Sequence, residues 1–198
     1  MAMGETALRG VLIGVMLVLI PIGMYHRIKS QSTGERLDRR QEGMLILATL
    51  RPLGAVFWFS TLAWMINPRW LDWSSVPVPM WARWFGVALL IAGAALLVWT
   101  FRALGKNLTD TVVTRAAHTL VVHGPYRWIR HPLYTSAALL SAALSLIAAN
   151  WFLLATGLVI LTVLVMRTRI EEANLVARFG DSYQQYMNRT GRFMPRVG

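Results

Sequence analysis

Five apolar runs divide this 198-residue chain and leave little sequence outside them. A helix needs roughly 17–25 mostly apolar residues to cross the hydrocarbon of a bilayer. Because a lipid-facing backbone must pair all its N–H and C=O groups internally, such runs favour helices. The sequence therefore predicts an all-α polytopic membrane protein with about five transmembrane helices, at residues 7–25, 44–66, 81–101, 133–149 and 151–166. The last two runs lie near the short limit.

The last two runs are separated only by Asn150, which predicts a tight helical hairpin. The first run resembles a signal peptide in its position. Its apolar part is longer than a typical signal peptide's, and no Ala-x-Ala cleavage site follows it before His26. We therefore expect it to be a retained helix.

The basic residues are distributed unevenly along the chain. The net charge is +11, and 16 of the 20 Lys and Arg residues lie in the connection 26–43, the segment 102–132 and the tail from residue 167. The positive-inside rule places these three segments in the cytoplasm, with the N-terminus outside and the C-terminus inside. The charge is thus explained by topology and contact with anionic lipids, and no nucleic-acid partner is predicted. The absence of cysteine excludes disulfides and thiolate nucleophiles.

A polar and aromatic block at residues 118–134 holds three of the four histidines and ends against the fourth apolar run. Gly124-Pro125 is a strong turn signal. Pro132 suits the first position of a helix, so His131 should be its N-cap. The free N–H groups and dipole of such a helix start favour an anionic ligand.

Each side chain in the block also has an ordinary explanation. Trp128 and Tyr134 are typical membrane-interface anchors, and Arg127 and Arg130 are expected to contact lipid headgroups. In a binding site, Tyr126, Trp128 and Tyr134 would instead offer flat faces for a ring or a cation. Three histidines are compatible with a metal, but no carboxylate accompanies them at ligand spacing, so no metal site is predicted.

The fifth run continues into Arg167-Thr-Arg-Ile-Glu171-Glu172, which we expect to extend the same helix into the cytoplasm. Arg167 and Glu171 are an i,i+4 pair, typical of a weak surface salt-bridge ladder. The hairpin, however, returns both residues to the membrane level of His131, where they would join a site. Arg51 lies inside the second run; it is interpreted as a lipid-phosphate contact or as part of an internal cavity, and is left out of the site.

Two separated segments together resemble the isoprenylcysteine carboxyl methyltransferase family. The first is His-Thr-Leu-Val-x-x-Gly-x-Tyr-x-Trp-x-Arg-His-Pro-x-Tyr at residues 118–134. The second, after a hydrophobic hairpin, is Arg, Glu-Glu and Phe-Gly-x-x-Tyr-x-x-Tyr. Phospholipid methyltransferases share a looser version. The resemblance covers roughly residues 109–195, whereas Arg169 and Ile170 stand where eukaryotic members of the family are more acidic.

The resemblance implies an integral-membrane enzyme that uses S-adenosylmethionine, with residues 1–101 as a three-helix part and 102–198 as the catalytic part of one membrane domain. It implies that Arg167 is the catalytic residue that contacts the acceptor. It implies a cofactor pocket formed by His118, Thr119, Leu120, Val121, Tyr126, His131, Pro132, Leu133, Tyr134 and Glu171. The aromatic tail, with Tyr183, Tyr186, Phe193 and Met194, would cover that pocket as a lid.

The expected reaction is methyl transfer to a lipophilic acceptor at the cytoplasmic membrane face, with carboxyl O-methylation of an isoprenylcysteine-like substrate as the first hypothesis. N-methylation of a phospholipid amine and S-methylation of a small thiol remain alternatives. A non-catalytic membrane scaffold that retained the pocket is an alternative of another class. The expected partners are the lipophilic acceptor and membrane lipids, and the oligomeric state is open.

Overall fold

The structure is a computed structural model that describes residues 2–31, 44–105 and 119–196. Within these ranges the chain is helical, with isolated bridges and no extended strand. Its α-helices are α1 (Ala2–Gln31), α2 (Met44–Ile66), α3 (Met80–Leu104), α4 (Pro132–Ala148), α5 (Trp151–Phe179) and α6 (Asp181–Arg189). Two 3-10 helices, at Pro68–Ser74 and Gly124–Arg127, join them. The predicted all-α fold is confirmed.

The five predicted apolar runs correspond to α1–α5. In the described part of the chain, three helical segments are long and apolar enough to cross a membrane: Gly4–Lys29, Met80–Leu104 and Trp151–Phe179. The shorter apolar helix Pro132–Ala148 packs between α3 and α5. The helix α5 continues well past the apolar run, as the sequence predicted, and ends where Gly180 adopts a φ of 54°.

Successive helices run in opposite directions along the bundle. The contacting helices α1 and α3 therefore run parallel to each other. Glu5 of α1 pairs with Arg83 near the start of α3, whereas His26 contacts the ring of Phe101 near its end. One end of the bundle therefore collects the starts of α1, α3 and α5. We call it the Trp end because its exposed tryptophans are Trp70, Trp73, Trp81, Trp84 and Trp151. The opposite end, which holds His131, is called the site end.

Glycines let α3 lie close against α4. A Cβ added to Gly86 would approach the side chains of Leu146 and Ile147 to 3.0–3.1 Å, and one added to Gly93 would approach Leu139 and Leu140 equally closely. Small residues at helix contacts are the usual way for helices in a membrane to gain packing, since lipid supplies no hydrophobic driving force. This packing fixes the position of α4 and hence of the site that precedes it.

The hairpin between α4 and α5 is as tight as predicted. Ala149 takes a left-handed conformation, with φ 50° and ψ 51°. Asn150 is 2% exposed and caps α5 by accepting a hydrogen bond from the Leu153 amide at 3.0 Å. The side-chain nitrogen of Asn150, Nδ2, donates to the Ser74 hydroxyl at 2.7 Å. One side chain thus joins the hairpin to the 3-10 helix at Pro68–Ser74.

Two arginines at the Trp end cap neighbouring helices. Arg9 donates to the carbonyls of Met65 and Ile66, the last residues of α2. Arg83, 9% exposed, donates to the Ile147 carbonyl near the end of α4 at 2.9 Å. Each guanidinium satisfies carbonyls that a helix end leaves without an intrahelical partner.

Candidate functional site

His131 stands at the N-cap of α4, as predicted, with Pro132 at the first helical position. The His131 carbonyl accepts hydrogen bonds from the amides of Tyr134 and Thr135 at 3.0 and 3.1 Å. Pro132 has no N–H, so in this first turn it is the Leu133 amide that can donate to a ligand. The predicted anion site at the helix start therefore has fewer amide donors than the sequence suggested.

The hairpin brings His131 and Glu171 together, as predicted. Their closest atoms, His131 Nδ1 and Glu171 Oε2, are 3.8 Å apart. The Tyr134 hydroxyl donates to the same Glu171 oxygen at 2.8 Å. The rings of His131 and Tyr134 are stacked, with centroids 5.4 Å apart and planes inclined by 4°. These three side chains form one contiguous cluster at the site end.

Glu172 lies at the centre of a second, more buried cluster that the sequence did not predict as part of the site. Its Oε1 accepts from Arg130 Nε at 2.9 Å and faces His131 Nε2 at 3.1 Å. Arg192 binds both of its carboxylate oxygens. The interpretation of Arg130 as a lipid-headgroup contact is wrong, since α5 presents a carboxylate to it inside the protein.

One sequence signal pointed to this cluster. The motif Arg130-His131 lies one hairpin away from Glu171-Glu172, at the same membrane level and with opposite charge. Arg192 carries no such signal, because its position depends on how the tail folds back.

The tail segment 190–193, called the strap, is bound to the residues before α4 by backbone hydrogen bonds. Arg130 N–H donates to the Gly191 carbonyl at 2.9 Å, and His131 N–H donates to the Arg192 carbonyl at 3.0 Å. A side chain at Gly191 would overlap the Met194 carbonyl, which explains the glycine. The ring of Phe193 also contacts His131, with centroids 5.9 Å apart. The predicted lid residue Phe193 therefore lies beside His131.

The 3-10 helix Gly124–Arg127 joins the end of α3 to the tail. Gly124, with φ 61°, lies against Ala103 and Trp99 of α3. The Tyr186 hydroxyl of α6 donates to the Tyr126 carbonyl at 2.7 Å. Burial, and then the negative charge of Glu171, hold the pKa of Tyr126 well above its usual value. Burial also raises the pKa of Tyr186 to about 12.

The other predicted cofactor residues have different surroundings. His118 lies outside the described residues. Val121 and Pro132 are buried, Leu120 and Leu133 are partly buried, and Thr119 is exposed. The assignment of all ten residues to a cofactor pocket stays a prediction. Tyr183 of the predicted lid is 2% exposed and packs on the Tyr186 ring, while Met194 is 74% exposed.

The two arginines considered in the sequence have opposite environments. Arg167 is 8% exposed and lies one helical turn nearer the Trp end than Glu171, a separation of about 6 Å along α5. Its burial argues against a surface salt-bridge ladder. Arg51 lies exposed on α2, which agrees with a lipid-facing position.

A groove of about 590 Å³ separates α1 from α3 in the half of the bundle nearest the site end. Its lining is apolar except at one end, where Trp99 and Arg102 lie. Trp99 in turn contacts the Trp128 ring, with centroids 5.6 Å apart, and lies against Gly124. The polar end of the groove therefore adjoins the 3-10 helix that carries Tyr126.

Comparison with known proteins agrees with these features. The curated relatives include protein-S-isoprenylcysteine O-methyltransferases. That of Tribolium castaneum is 30% identical over 120 residues, covering 59% of this chain and 43% of the relative. That of Schizosaccharomyces pombe is 33% identical over 96 residues, covering 47% of this chain and 41% of the relative. The chain thus spans less than half the length of these relatives.

A solved structure of the eukaryotic intramembrane Ras methyltransferase ICMT (isoprenylcysteine carboxyl methyltransferase) is similar in fold. It aligns with a TM-score of 0.56 at 20% identity, covering 94% of this chain and 67% of that one. The family model described as Phospholipid methyltransferase matches residues 81–182, from the start of α3 to α6. This match covers more than half of the sequence and includes α4 and the whole of α5, so the chain belongs to the phospholipid methyltransferase family.

Proposed function

We propose that this chain transfers a methyl group from S-adenosylmethionine to the carboxylate of a lipophilic acceptor of the isoprenylcysteine type. The observation that carries the proposal is the order of groups along α5. Glu171 lies beside His131 and Tyr134, and Arg167 is buried about one turn further toward the Trp end. A negative side chain and a positive one are thus held a few ångströms apart, on one helix, near the membrane surface.

The residues around Glu171 fit the amino-acid end of S-adenosylmethionine. The Glu171 side chain is 29% exposed, so it is accessible to an ammonium group. The Leu133 amide and the dipole of α4 suit a carboxylate. Tyr134 and Tyr126 offer aromatic faces beside them. When bound, this cofactor supplies an electrophilic methyl group on a sulfonium.

The Arg167 guanidinium is suited to bind the carboxylate of the acceptor. A carboxylic acid is already ionised at neutral pH, so no general base is required for its methylation. A guanidinium binds a carboxylate through two parallel hydrogen bonds and thereby fixes its direction. The role of the protein is then to orient the two reactants and to exclude water.

The groove between α1 and α3 suits the hydrocarbon part of the acceptor. Its lining extends from Ile91 to Arg102 on α3, a length of about 16 Å. Its apolar walls suit a single prenyl or acyl chain, and Arg102 suits an anionic head. Because the groove ends beside Trp99 and the 3-10 helix Gly124–Arg127, a chain lying in it has its head near the site.

The site end is proposed to face the cytoplasm, with the N-terminus outside. The Trp end supports this orientation. Of its Arg9, Arg69 and Arg83, two cap helices inside the bundle, so this end presents few cations to solvent. The other end holds more of the described cations, among them Arg102, Arg127, Arg130 and Arg189, as the positive-inside rule requires.

The test is methyl transfer by the purified protein from radiolabelled S-adenosylmethionine to an S-farnesylated N-acetylcysteine. We expect label in an ester that alkali releases. The same acceptor with its carboxyl group converted to an amide is the matched control and should remain unlabelled. Absence of cofactor binding in calorimetry would instead support a non-catalytic scaffold and contradict the proposal.

A phospholipid amine is the second candidate acceptor, because the matching family model is described as Phospholipid methyltransferase. An ammonium must lose a proton before it attacks, and His131 or Glu171 would have to accept it. Including phosphatidylethanolamine and a small thiol in the same assay separates these reactions, since N-methyl and S-methyl products are stable to alkali.

A further inference from the structure

Adjacent glutamates of α5 have separate surroundings. Successive residues of a helix point about 100° apart, so Glu171 and Glu172 face different neighbours. The Glu172 side chain is 9% exposed and is bound by Arg130, His131 and Arg192. The Glu171 side chain is 29% exposed and accepts a hydrogen bond from Tyr134. Two guanidiniums surround Glu172, whereas Glu171 is the more exposed of the two carboxylates and therefore the more accessible to a ligand.

His131 lies between these two carboxylates and is 5% exposed. Its Nε2 is 3.1 Å from Glu172 Oε1, and a carboxylate only accepts hydrogen bonds, so Nε2 carries a proton. Its Nδ1 is 3.8 Å from Glu171 Oε2, too far for a hydrogen bond between them. In a neutral ring protonated at Nε2, Nδ1 is an acceptor. Two acceptors then lie side by side, one on the buried His131 ring and one on the partly exposed Glu171 carboxylate.

We propose that Glu172 is a positioning residue that holds His131 in its Nε2-protonated form, so that His131 Nδ1 and Glu171 Oε2 together accept the ammonium group of a ligand. An ammonium has three N–H donors and carries a positive charge that complements the Glu171 carboxylate. The proposal rests on the proposed function, in which that ammonium belongs to the amino-acid end of S-adenosylmethionine.

The strap takes part through Arg192. The backbone bonds from Arg130 and His131 to Gly191 and Arg192 hold the strap in place. The Arg192 side chain then reaches both oxygens of Glu172. Arg192 and Arg130 therefore keep the carboxylate turned toward Nε2 of His131. The contact between Arg192 of the strap and Glu172 of α5 thus helps to fix which nitrogen of the His131 ring carries the proton.

The ligand test compares S-adenosylhomocysteine with an analogue that lacks the α-amino group. Calorimetry on the wild-type protein should show a preference of at least about tenfold for the ammonium-bearing ligand, the effect of one charge-assisted hydrogen bond. Glu171→Gln and Glu172→Gln should both lose most of that preference, while the affinity for the amine-free analogue changes less than about twofold. A merely structural role of Glu172 would weaken both ligands alike.

Nitrogen NMR of histidine-labelled protein tests the ring directly and needs no ligand. The chain has four histidines, so the His131 signals can be assigned by their loss in His131→Gln. We expect one neutral ring form protonated at Nε2 in the wild type, and a mixture of ring forms in Glu172→Gln. A doubly protonated ring in the wild type, or an unchanged one in Glu172→Gln, would overturn the proposal.

Arg192→Ala keeps the proposal testable if Glu172→Gln does not fold, because the Arg192 side chain is 40% exposed and its loss leaves the strap backbone bonds in place. It should reduce the ammonium preference and alter the His131 signals. Arg189→Ala, an exposed cation of α6, is the matched control and should change neither. Failure of the wild type to bind either ligand would contradict the proposed function, whereas binding without preference for the ammonium would contradict only the acceptor pair.

Discussion

Replacing Asn150 by alanine should destabilise the hairpin on which the site depends. The Asn150 side chain makes three hydrogen bonds in a buried position. Its oxygen accepts from the Leu153 amide at 3.0 Å, and its nitrogen donates to Ser74 Oγ at 2.7 Å and to the Leu71 carbonyl at 3.3 Å. Ser74 is fully buried. Alanine removes all three bonds, and no water is expected to replace them at so closed a position.

The size of the effect follows from these contacts. Loss of an N-cap side chain costs about 1 kcal/mol. Each of the two donor bonds contributes about 1 kcal/mol, since their acceptors lose a partner while buried. In the variant the Leu71 carbonyl still accepts a hydrogen bond from the Ser74 hydroxyl, so the cost of its lost bond from Asn150 stays near this value. The total is about 3 kcal/mol, or roughly 6–12 °C in Tm for a chain of this length.

Thermal unfolding in detergent, followed by circular dichroism, measures this loss. Asn67→Ala is the matched control, because Asn67 also caps a helical turn, but at the surface, through its bond from Arg69 N–H at 3.2 Å. The reasoning is refuted if Asn150→Ala lowers the Tm no more than Asn67→Ala does.

The remaining predictions test the acceptor site, the groove and the topology. Arg167→Ala should lower kcat/KM for the acceptor about 10- to 100-fold, the loss of a bidentate charged contact, and leave cofactor affinity within about twofold; unaltered turnover would exclude Arg167 from the site. Ala95→Trp, inside the groove, should raise KM for a prenylated acceptor, whereas Ala155→Trp on an exposed face of α5 should not; equal kinetics of the two variants would remove the groove from the proposal. Because the chain lacks cysteine, Asp72→Cys and Ser182→Cys each provide a single label site. An impermeant maleimide should label position 72 from outside the cell and position 182 only in inverted vesicles, and the reverse pattern would contradict the proposed orientation.

Local features of the chain were predictable because short-range chemistry fixes them. Pro132 lacks an N–H and restricts its neighbour, so a helix had to begin there with His131 at its cap. Gly180 ends α5 for an equally local reason, since its φ of 54° favours glycine. The apolar runs fixed α2, α3 and α4 to within a few residues. The start of α1 lies further upstream than the apolar run, because polar residues at its start continue the same helix.

Contacts in the site were less predictable because they join distant residues. The proximity of Glu171 and His131 could be predicted from the hairpin alone, since both residues had to return to one membrane level. The partners of Glu172 could not be predicted in this way. Arg130 is 42 residues away in sequence, and Arg192 reaches Glu172 only because the tail folds back onto the start of α4.

The sequence by itself determined the all-helical membrane fold, the hairpin and the level at which the site lies, because lipid demands apolar helices and proline and glycine fix where they begin and end. Only the tertiary structure decided which of the two adjacent glutamates is buried among arginines and which is the more exposed. The surroundings of the two glutamates depend on the rotation of α5 about its axis relative to α4 and on the position of the strap. Both are determined by packing among residues that are distant in sequence.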